Sequence, residues 1–363
     1  MFNLFKARHH LVGIDLGRSS IKVVQLRSTG AGLRLIYAGL TELPVIGSSL
    51  TEPGIRLALL DLFQKGKLKR EKAAVNFVGK TPVVRYLTLP KMPMEELKEA
   101  IKWEAKKFLP MPIEEMVLDF MVIGEQEERE VRRLDLVVVA AERSEVHAQY
   151  NELKRMGINI DVMEVNPLAM LNAVSLNYED HLKDTVVFVD IGAGKTEINI
   201  IKQGMLRFTR HVQIGGEDIT KAIEQELQVS RDEAEAMKKL HGMLAPESGR
   251  AVSAADGRLK NIIQREVDRI VLETQRSLDY YRAQFRESEV KKLILMGGTP
   301  LMPGFQDYCS SYFEARVEMD DPFAEIHCDE PSFAEFRMMA PRFSTSVGLA
   351  LRTGGCMRFG EIR

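Results

Sequence analysis

The stretch VVFVDIGAGKTEINII, residues 186–201, determines how the rest of the chain is interpreted. An apolar run ends at Asp190, two glycines follow, and Ile198 and Ile200 then alternate with polar residues. This pattern predicts a short buried strand, a tight turn and a second strand. The small residues, the hydroxyl group and the carboxylate of the turn suit a backbone that comes close to a phosphate group.

Two other phosphate-binding loops are excluded by the spacing of the glycines. A Walker A motif would need a glycine at Val189 and a helix after Lys195, whereas the residues after that lysine alternate like a strand. A dinucleotide-binding motif would need a glycine at Glu197, again followed by a helix. The stretch is therefore interpreted as a phosphate-binding hairpin.

The same pattern occurs earlier in the chain as LVGIDLGRSSIKVVQL, residues 11–26. Each copy is followed by a further strand-like segment, at residues 33–40 and 205–214. A repeated strand–turn–strand–strand unit predicts two similar domains that face each other. Two phosphate-binding hairpins would then hold one nucleotide from opposite sides. The matching positions are Asp15 and Asp190, Gly17 and Gly192, and Val23 and Ile198.

The composition is that of an ordinary soluble protein with two domains. The chain has 363 residues, of which 45% are apolar and 28% are charged. A net charge of −2 provides no basic field for nucleic acid, so no nucleic-acid partner is predicted. The three cysteines and seven histidines form no metal-binding spacing. No apolar run is long enough to span a bilayer or to form a signal peptide, so we predict a cytoplasmic protein.

The predicted elements divide the chain into two domains and an insertion. Residues 1–84 and 144–184 are predicted to form domain 1, and residues 185–355 are predicted to form domain 2. Residues 85–143 read as an inserted strand–helix–strand–strand subdomain. The apolar stripe of its helix is predicted to contain Met94, Leu97, Ile101 and Phe108.

The single tryptophan, Trp103, points away from that stripe on helical geometry. It suits an anchor for a partner peptide, since exposed aromatic side chains are favoured at interfaces. Packing between subdomains explains it equally well. The sequence leaves both interpretations open.

The predicted site follows from the chemistry of its ligand. A nucleoside triphosphate is polyanionic, so its site needs backbone N–H groups, hydroxyl groups and a cation. Asp15 and Asp190, at the two strand ends, are predicted to hold Mg²⁺ through its waters, because Mg²⁺ dehydrates reluctantly. The residues predicted to contact the phosphates are Gly17, Arg18, Ser19, Ser20, Lys22, Gly192, Ala193, Gly194, Lys195 and Thr196.

A third glycine-rich turn follows a late strand. Gly297 and Gly298 end the stretch KKLILMGG, which leaves room for a flat ring to approach the backbone. A simple turn from strand to helix is the alternative interpretation. The chain then approaches its end with a predicted helix, residues 341–352, that carries Ser-Val-Gly-Leu-Ala.

Two phosphate hairpins, a double-glycine turn and a final Ser-Val-Gly-Leu-Ala helix together resemble the actin/Hsp70/sugar-kinase superfamily of ATPases. The inserted subdomain is similar to that of the cell-division protein FtsA. The start of the chain, its length and its short end resemble the PilM family, the cytoplasmic actin-like proteins of type IV pilus assembly. The resemblance implies an α/β actin-like ATPase fold with duplicated β-β-β-α units around a cleft for ATP and Mg²⁺, and an FtsA-like insertion in domain 1.

The resemblance also implies roles for individual residues. Glu235 and Lys238 match an AE-x-x-K pattern that meets ribose and purine in related proteins. The residues implied to line the adenosine pocket or to lie close to the nucleotide are Gly297, Gly298, Thr299, Gly215, Gly216 and Glu217.

The PilM family implies a partner as well as a ligand. A groove between domain 1 and the inserted subdomain would receive the N-terminal cytoplasmic peptide of PilN, an inner-membrane pilus protein. Other pilus assembly proteins are expected partners too. The protein would then lie at the inner face of the inner membrane, associated with it indirectly. The sequence leaves dimer and filament formation open.

The sequence departs from hydrolysing relatives at one position. In proteins such as MreB, a carboxylate often precedes the proline that starts the helix after a strand of the INIDVMEV type. Here Asn166 precedes Pro167, and Glu164 lies two residues earlier. An amide orients water but cannot act as a general base, so we predict at most a weak ATPase. Asn166 and Glu164 are the candidates for positioning water, and nucleotide is expected mainly to set the angle between the domains.

Two alternative functions come from other classes of protein. An FtsA-like filament tethered to the membrane would need a C-terminal amphipathic helix, for which the ending TGGCMRFGEIR is short and rich in glycine. A phosphotransferase of the sugar-kinase type would need a second substrate pocket with a base that activates a hydroxyl group. No motif for that pocket is found.

Overall fold

The computed structural model describes residues 12–30, 32–43, 53–68, 72–80, 82–128, 131–178, 184–243, 254–286, 289–328 and 333–352. This part of the chain is an α/β structure with three sheets, and each sheet has at least one helix packed on it. No helix within the described ranges combines the length and apolar character needed to cross a bilayer.

In chain order the strands are β1 (Val12–Leu16), β2 (Ser20–Thr29), β3 (Gly32–Glu42), β4 (Ala73–Asn76), β5 (Val83–Pro90), β6 (Met116–Glu128), β7 (Val131–Glu142), β8 (Ile160–Glu164), β9 (Thr185–Ile191), β10 (Thr196–Lys202), β11 (Met205–Val212), β12 (Lys292–Met296) and β13 (Arg316–Met319). The helices are α1 (Pro53–Lys65), α2 (Met94–Ala105), α3 (Arg143–Arg155), α4 (Asn166–Asn177), α5 (Gly216–Leu227), α6 (Arg231–His241), α7 (Ala254–Phe285), α8 (Phe305–Tyr312), α9 (Ala334–Met338) and α10 (Ser344–Ala350).

The first sheet has the strand order β3-β2-β1-β4-β8. β1 pairs antiparallel with β2 and parallel with β4, so the chain makes a meander and then adds parallel strands through helical crossovers. Val12 and Ile14 of β1 lie in a core formed with α1 and α3. The opposite face packs against α4 and α10. Because helices cover both faces of this sheet, its strands are apolar on both faces.

The second sheet repeats this topology with the order β11-β10-β9-β12-β13. β9 pairs antiparallel with β10 and parallel with β12, just as β1 pairs with β2 and β4. Val187, Val189 and Ile198 lie in a core with α5 and α7 on one face of this sheet. The duplicated unit predicted from the two copies of the sequence pattern is confirmed.

The third sheet, with the order β5-β7-β6, lies within the predicted insertion and its edges. α2 packs on one face through Leu97 and Ile101, which are fully buried. Met94 was predicted to share this stripe, but it is exposed at the first position of α2. Ala105, one turn beyond Ile101, is buried in its place. Trp103 is 71% exposed, so it does not pack between subdomains.

Two glycines allow α10 to pack closely against its neighbours. A Cβ atom on Gly13 of β1 would lie 2.1 Å from the carbonyl oxygen of Ser346. A Cβ atom on Gly348 would lie 1.8 Å from the carbonyl oxygen of Ala169 in α4. The glycine in the Ser-Val-Gly-Leu-Ala motif is therefore required for backbone contact between two helices.

The helix predicted over residues 341–352 is divided in the structure. A short 3₁₀ turn, Ala340–Phe343, precedes α10. The carbonyl oxygen of Pro341 accepts a hydrogen bond from the N–H of Gly297 at 2.8 Å. This tertiary bond ties the segment before α10 to the double-glycine turn, and the sequence pattern alone does not contain it.

Candidate functional site

A cleft with a volume of about 970 Å³ lies between the first and second sheets. This volume is in the range of small-molecule binding sites. Its walls include both predicted hairpins, the first turn of α5, one face of α6, the double-glycine turn after β12 and residues 341, 342, 344 and 345. The two copies of the sequence pattern therefore meet in one cavity.

The two hairpins are closed by the same hydrogen bond. The N–H of Gly17 donates to the carbonyl oxygen of Ser20 at 3.0 Å, and the N–H of Gly192 donates to that of Lys195 at 3.0 Å. A Cβ atom on Gly17 would lie 2.8 Å from the Ser20 oxygen, so this position has no room for a side chain. The backbone at the tip of each turn lines the cleft. Both turns suit phosphate oxygens, which bind to exposed backbone N–H groups.

Asp15, at the end of β1, is already paired with groups of the protein. Lys22 lies directly opposite on β2, with its Nζ 3.0 Å from Asp15 Oδ2. The amide of Asn76, at the end of β4, donates to Asp15 Oδ1 at 3.1 Å. Asn76 also donates to Asn166 Oδ1 at 3.1 Å. The sequence analysis did not predict Asn76 as a site residue. Its position at the end of an apolar strand could have indicated that it lies in the site.

Asp190, the matching residue at the end of β9, has a different environment. The residue opposite it on β10 is Glu197, so two carboxylates face each other across the strand pair. Burial raises the pKa of Asp190 to about 7, and the charges of Glu197 and Asp15 add to this effect. A cation in the cleft would favour the charged form of Asp190. The chemistry of this residue therefore fits the predicted metal.

Glu197 is a buried carboxylate that the prediction overlooked, with only 2% of its surface exposed. Its Oε1 atom lies 2.5 Å from Lys195 Nζ and 3.2 Å from His211 Nδ1, and it accepts a hydrogen bond from Asn166 Nδ2 at 3.3 Å. Burial opposes its charge, but Lys195 and His211 lower the pKa of Glu197 to about 2. When the two hairpins are aligned, Glu197 matches Lys22, and this match could have identified Glu197 as a site residue.

The residues implied to meet the nucleoside lie on the other wall of the cleft. α6 begins with a capping box between Ser230 and Glu233. One turn further, Lys238 Nζ donates to Glu235 Oε2 at 2.6 Å, to the carbonyl oxygen of Gly216 at 3.0 Å, and to α5 through a threonine hydroxyl. Burial lowers the pKa of Lys238. Glu235 and Lys238 thus join α6 to the start of α5 beside the cleft.

Glycines create the close packing around the double-glycine turn. A Cβ atom on Gly216 would lie 2.4 Å from Thr299 Oγ1, and one on Gly297 would lie 2.5 Å from Asp190 Oδ1. Gly297 also has a φ of +90°, which favours glycine. At Gly298 the nearest atom to a Cβ would be Arg342 Nε, at 3.6 Å. This position leaves space for a flat ring, so the residues present fit an adenine nucleotide.

Two ion pairs lie in the cleft. Arg18 Nε lies 2.7 Å from Glu217 Oε2. Arg342 lies 2.8 Å from Glu42 Oε1 and donates to Ser20 Oγ at 3.1 Å. Arg342 was not predicted, because it lies more than forty residues after the double-glycine turn that it adjoins.

Three of the predicted residues do not line the cleft. Glu164 is buried beside Arg352, with 2.9 Å between Oε2 and Nε, so we withdraw it as a candidate for positioning water. The hydroxyl group of Thr196 donates to the carbonyl oxygen of Ile214 at 2.8 Å and supports the second hairpin from behind. Gly215 supports that hairpin too, since a Cβ atom there would lie 2.5 Å from the Ala193 oxygen. The other predicted residues line the cleft.

Comparison with known proteins establishes the family. The sequence profile of the family described as type IV pilus assembly protein PilM matches residues 13–354, which is nearly the whole chain. The chain belongs to the PilM family. This family member is therefore an actin-like protein of type IV pilus assembly, and the predicted actin-like ATPase fold is confirmed.

Solved structures and curated sequences agree with this family. The structure described as PilM-PilN type IV pilus biogenesis complex has a TM-score of 0.82 at 23% identity, and the alignment covers 95% of this chain and 99% of that chain. MreB 5 of Spiroplasma citri bound to AMPPNP has a TM-score of 0.51 at 13% identity, covering 94% and 95%. Cell division protein FtsA of Streptococcus pneumoniae is 24% identical, covering 89% of this PilM family chain and 77% of FtsA.

Proposed function

We propose that this protein is a nucleotide-binding scaffold of the type IV pilus assembly complex, with Mg²⁺-ATP bound in the cleft. The observation that carries the proposal is the pair of matched hairpins, each closed by the same hydrogen bond and each preceded by an aspartate near the end of a buried strand. The hairpins offer backbone N–H groups to phosphate oxygens, and Lys22 and Lys195 line the same cleft. The solved MreB relative with this fold is bound to AMPPNP.

Asp15 and Asp190 would hold the magnesium ion through its waters. Within the described part of the chain, no three histidine, cysteine or carboxylate side chains converge on a metal-sized site. The coordination shell would therefore consist mainly of water and phosphate oxygens, as Mg²⁺ prefers. When bound, the ion supplies positive charge that neutralises the polyphosphate.

The nucleoside would lie against α6 and the double-glycine turn. Glu235 and Lys238 present polar atoms to the ribose and purine, and Gly298 allows the ring to approach the backbone. The same residues join α6 to α5, so nucleotide binding would also affect the contact between these two helices of domain 2.

Hydrolysis by this site would be slow. Asn166 is an amide, which orients water but takes no proton. Glu197 is ionised, but its low pKa makes it a weak proton acceptor, and Lys195 and His211 hold it in place. Neither side chain is suited to activate water strongly. The nucleotide would act mainly by favouring one angle between the domains.

The partner would be the N-terminal cytoplasmic peptide of PilN, bound in a groove between domain 1 and the inserted subdomain. A solved structure that superposes on this chain with a TM-score of 0.82 is described as a PilM-PilN complex. Trp103 on α2 offers a large exposed ring for such a contact, and Lys106 Nζ lies 5.8 Å from the centre of that ring. This interaction would bring a cytoplasmic protein to the inner face of the inner membrane.

A calorimetric titration tests this proposal. With Mg²⁺-ATP present, the PilN peptide is expected to bind saturably in a one-to-one complex. Trp103→Ala should weaken binding by about tenfold or more, because exposed aromatic anchors carry much of the binding free energy. Leu240→Ala, at an exposed apolar residue of α6, is the matched control and should bind like the wild type. Absence of peptide binding to a protein that does bind nucleotide would contradict the scaffold function.

A further inference from the structure

The two hairpins differ in charge at one matched position. In the first hairpin the residue opposite Asp15 is Lys22, a cation. In the second hairpin the residue opposite Asp190 is Glu197, an anion. The first strand pair is thus neutral across the ladder, whereas the second places two carboxylates opposite each other. Like charges at directly opposed positions are unfavourable.

Lys195 supplies the compensating charge from a different position. It lies in the turn of the second hairpin, where the first hairpin has Ser20. Its ammonium group is 2.5 Å from Glu197 Oε1. Burial opposes its charge, but Glu197, Asp190 and Asp15 together raise the pKa of Lys195. The ammonium group therefore interacts with all three carboxylates at the base of the cleft.

The basic side chains nearby have other partners or share Glu197 with Lys195. Lys22 donates to Asp15 Oδ2 at 3.0 Å. Arg18 pairs with Glu217 on α5. His211 contacts the same oxygen of Glu197 as Lys195 does, from the strand behind it. Removal of the Lys195 charge would leave Asp190 and Glu197 facing each other beside the backbone that receives phosphates. A bound polyphosphate would add further negative charge at that place.

We propose that Lys195 is a resident cation that lowers the dependence of nucleotide binding on Mg²⁺. It neutralises the Asp190–Glu197 pair when no metal ion is present, so part of the polyphosphate affinity persists without one. This inference rests on the proposed nucleotide binding. In this role Lys195 neutralises the carboxylates of its own hairpin. A lysine of the Walker type would instead contact the phosphates directly.

The test compares the affinity for ATP in excess Mg²⁺ with the affinity in EDTA. The dissociation constant in EDTA divided by that in Mg²⁺ measures the magnesium dependence, so a higher ratio means a stronger dependence on the metal ion. Lys195→Met keeps the aliphatic side chain and removes the charge, and it should raise the ratio by about tenfold or more. Lys195→Arg keeps the charge and should leave the ratio close to that of the wild type. Calorimetry measures each constant without any need for hydrolysis.

A second variant tests the same idea from the acidic partner. Glu197→Gln removes the charge that Lys195 neutralises, so it should lower the ratio. The double variant Lys195→Met/Glu197→Gln should return towards the wild-type ratio, because both charges are absent. If Lys195→Met alone fails to fold, Glu197→Gln and the double variant still test the inference.

The outcomes separate this inference from the proposed function. If the wild type binds no nucleotide in either buffer, the proposed function fails. If it binds and Lys195→Met has an unchanged ratio, Lys195 is not a resident cation. If Lys195→Met loses affinity equally in both buffers, and the double variant does not recover, Lys195 acts on the phosphates and the inference is overturned.

Discussion

Arg18 and Glu217 form an ion pair across the cleft, with 2.7 Å between Arg18 Nε and Glu217 Oε2. Arg18 lies at the tip of the first hairpin, and Glu217 lies in the first turn of α5 in the second repeated unit. The Arg18 side chain also covers Gly194, where a Cβ atom would lie 2.6 Å from Arg18 Cδ. The tips of both hairpins and the start of α5 are therefore connected by one side chain.

The two partners should contribute unequally to stability. Arg18 is 45% exposed, whereas the Glu217 side chain is 7% exposed and also pairs with Arg231 at 3.1 Å. Arg18→Ala should lower the free energy of unfolding by less than about 1 kcal/mol, because solvent screens the pair. Glu217→Ala should cost more, since it leaves several cations without their shared carboxylate. Chemical denaturation measures both.

Lys221→Ala is the matched control, because Lys221 is more exposed and lies 3.8 Å from the same carboxylate. It should leave the unfolding free energy unchanged. Small-angle X-ray scattering on Arg18→Ala should show a broader distribution of domain angles than in the wild type. Equal destabilisation by Arg18→Ala and Glu217→Ala would contradict this account of the pair.

Adjacent glycines in the turn after β12 should respond differently to alanine. Gly297→Ala places a methyl group 2.5 Å from Asp190 Oδ1 at a φ of +90°, so it should cost at least about 2 kcal/mol of stability. Gly298→Ala meets its nearest atom at 3.6 Å and has a φ of −88°, so its stability should change by about 0.5 kcal/mol or less.

The functional effect of Gly298→Ala is the informative one. Its methyl group would occupy the space left for a flat ring, so the affinity for ATP should fall while the thermal midpoint stays close to that of the wild type. Calorimetry and thermal unfolding on the same sample check this expectation. Unchanged ATP affinity in a folded Gly298→Ala protein would place the purine elsewhere.

Much of this fold could be predicted from local sequence patterns. The hairpin at residues 186–201 and its copy at residues 11–26 are defined by apolar alternation and glycine spacing, which act within a few residues. Gly348 was found through the Ser-Val-Gly-Leu-Ala motif, although its reason, contact with Ala169, belongs to the packing of α10 on α4.

The missed residues depend on tertiary neighbours. Glu197 becomes part of the site only because β10 places it opposite Asp190 and β11 places His211 beside it. Glu164 was misassigned because its carboxylate is buried beside Arg352, which is distant in the sequence. The division of residues 341–352 follows from a hydrogen bond to Gly297. Local periodicity contains none of these relationships.

Asp320 should make stability depend on pH. It follows β13 and accepts hydrogen bonds from the hydroxyl groups of Tyr178, at 2.9 Å, and Ser344. Burial raises the pKa of Asp320 from 3.8 to about 6, with a further contribution from the charge of Asp321. The folded protein therefore binds this proton more tightly than the unfolded chain does. The stabilisation is full below the ordinary pKa of 3.8 and is lost as the pH rises to about 6.

Asp320→Asn isolates this effect. The difference in unfolding free energy between the wild type and the variant should change by roughly 3 kcal/mol between the two ends of that pH range, in favour of the variant at the higher pH. Denaturation curves at several pH values provide the measurement. A difference that does not vary with pH would show that folding does not raise the pKa of Asp320.

Asp190→Ala should remove the response of nucleotide binding to magnesium while leaving the fold intact. The carboxylate lies opposite that of Glu197, so its loss relieves a repulsion and should not lower the thermal midpoint. The affinity for ATP should then be the same in Mg²⁺ and in EDTA. Asp15→Ala, at the other proposed magnesium-binding carboxylate, should weaken this response less, because Lys22 already neutralises Asp15. A full magnesium response in Asp190→Ala would mean that the metal ion binds elsewhere.

The central claim is that the two matched hairpins enclose a nucleotide. The most direct measurement is a calorimetric titration of the wild-type protein with ATP in excess Mg²⁺. We expect saturable binding of one nucleotide per chain, weakened when Gly298 carries a methyl group and made insensitive to magnesium when Asp190 is alanine. Absence of binding to the folded wild-type protein would contradict the account.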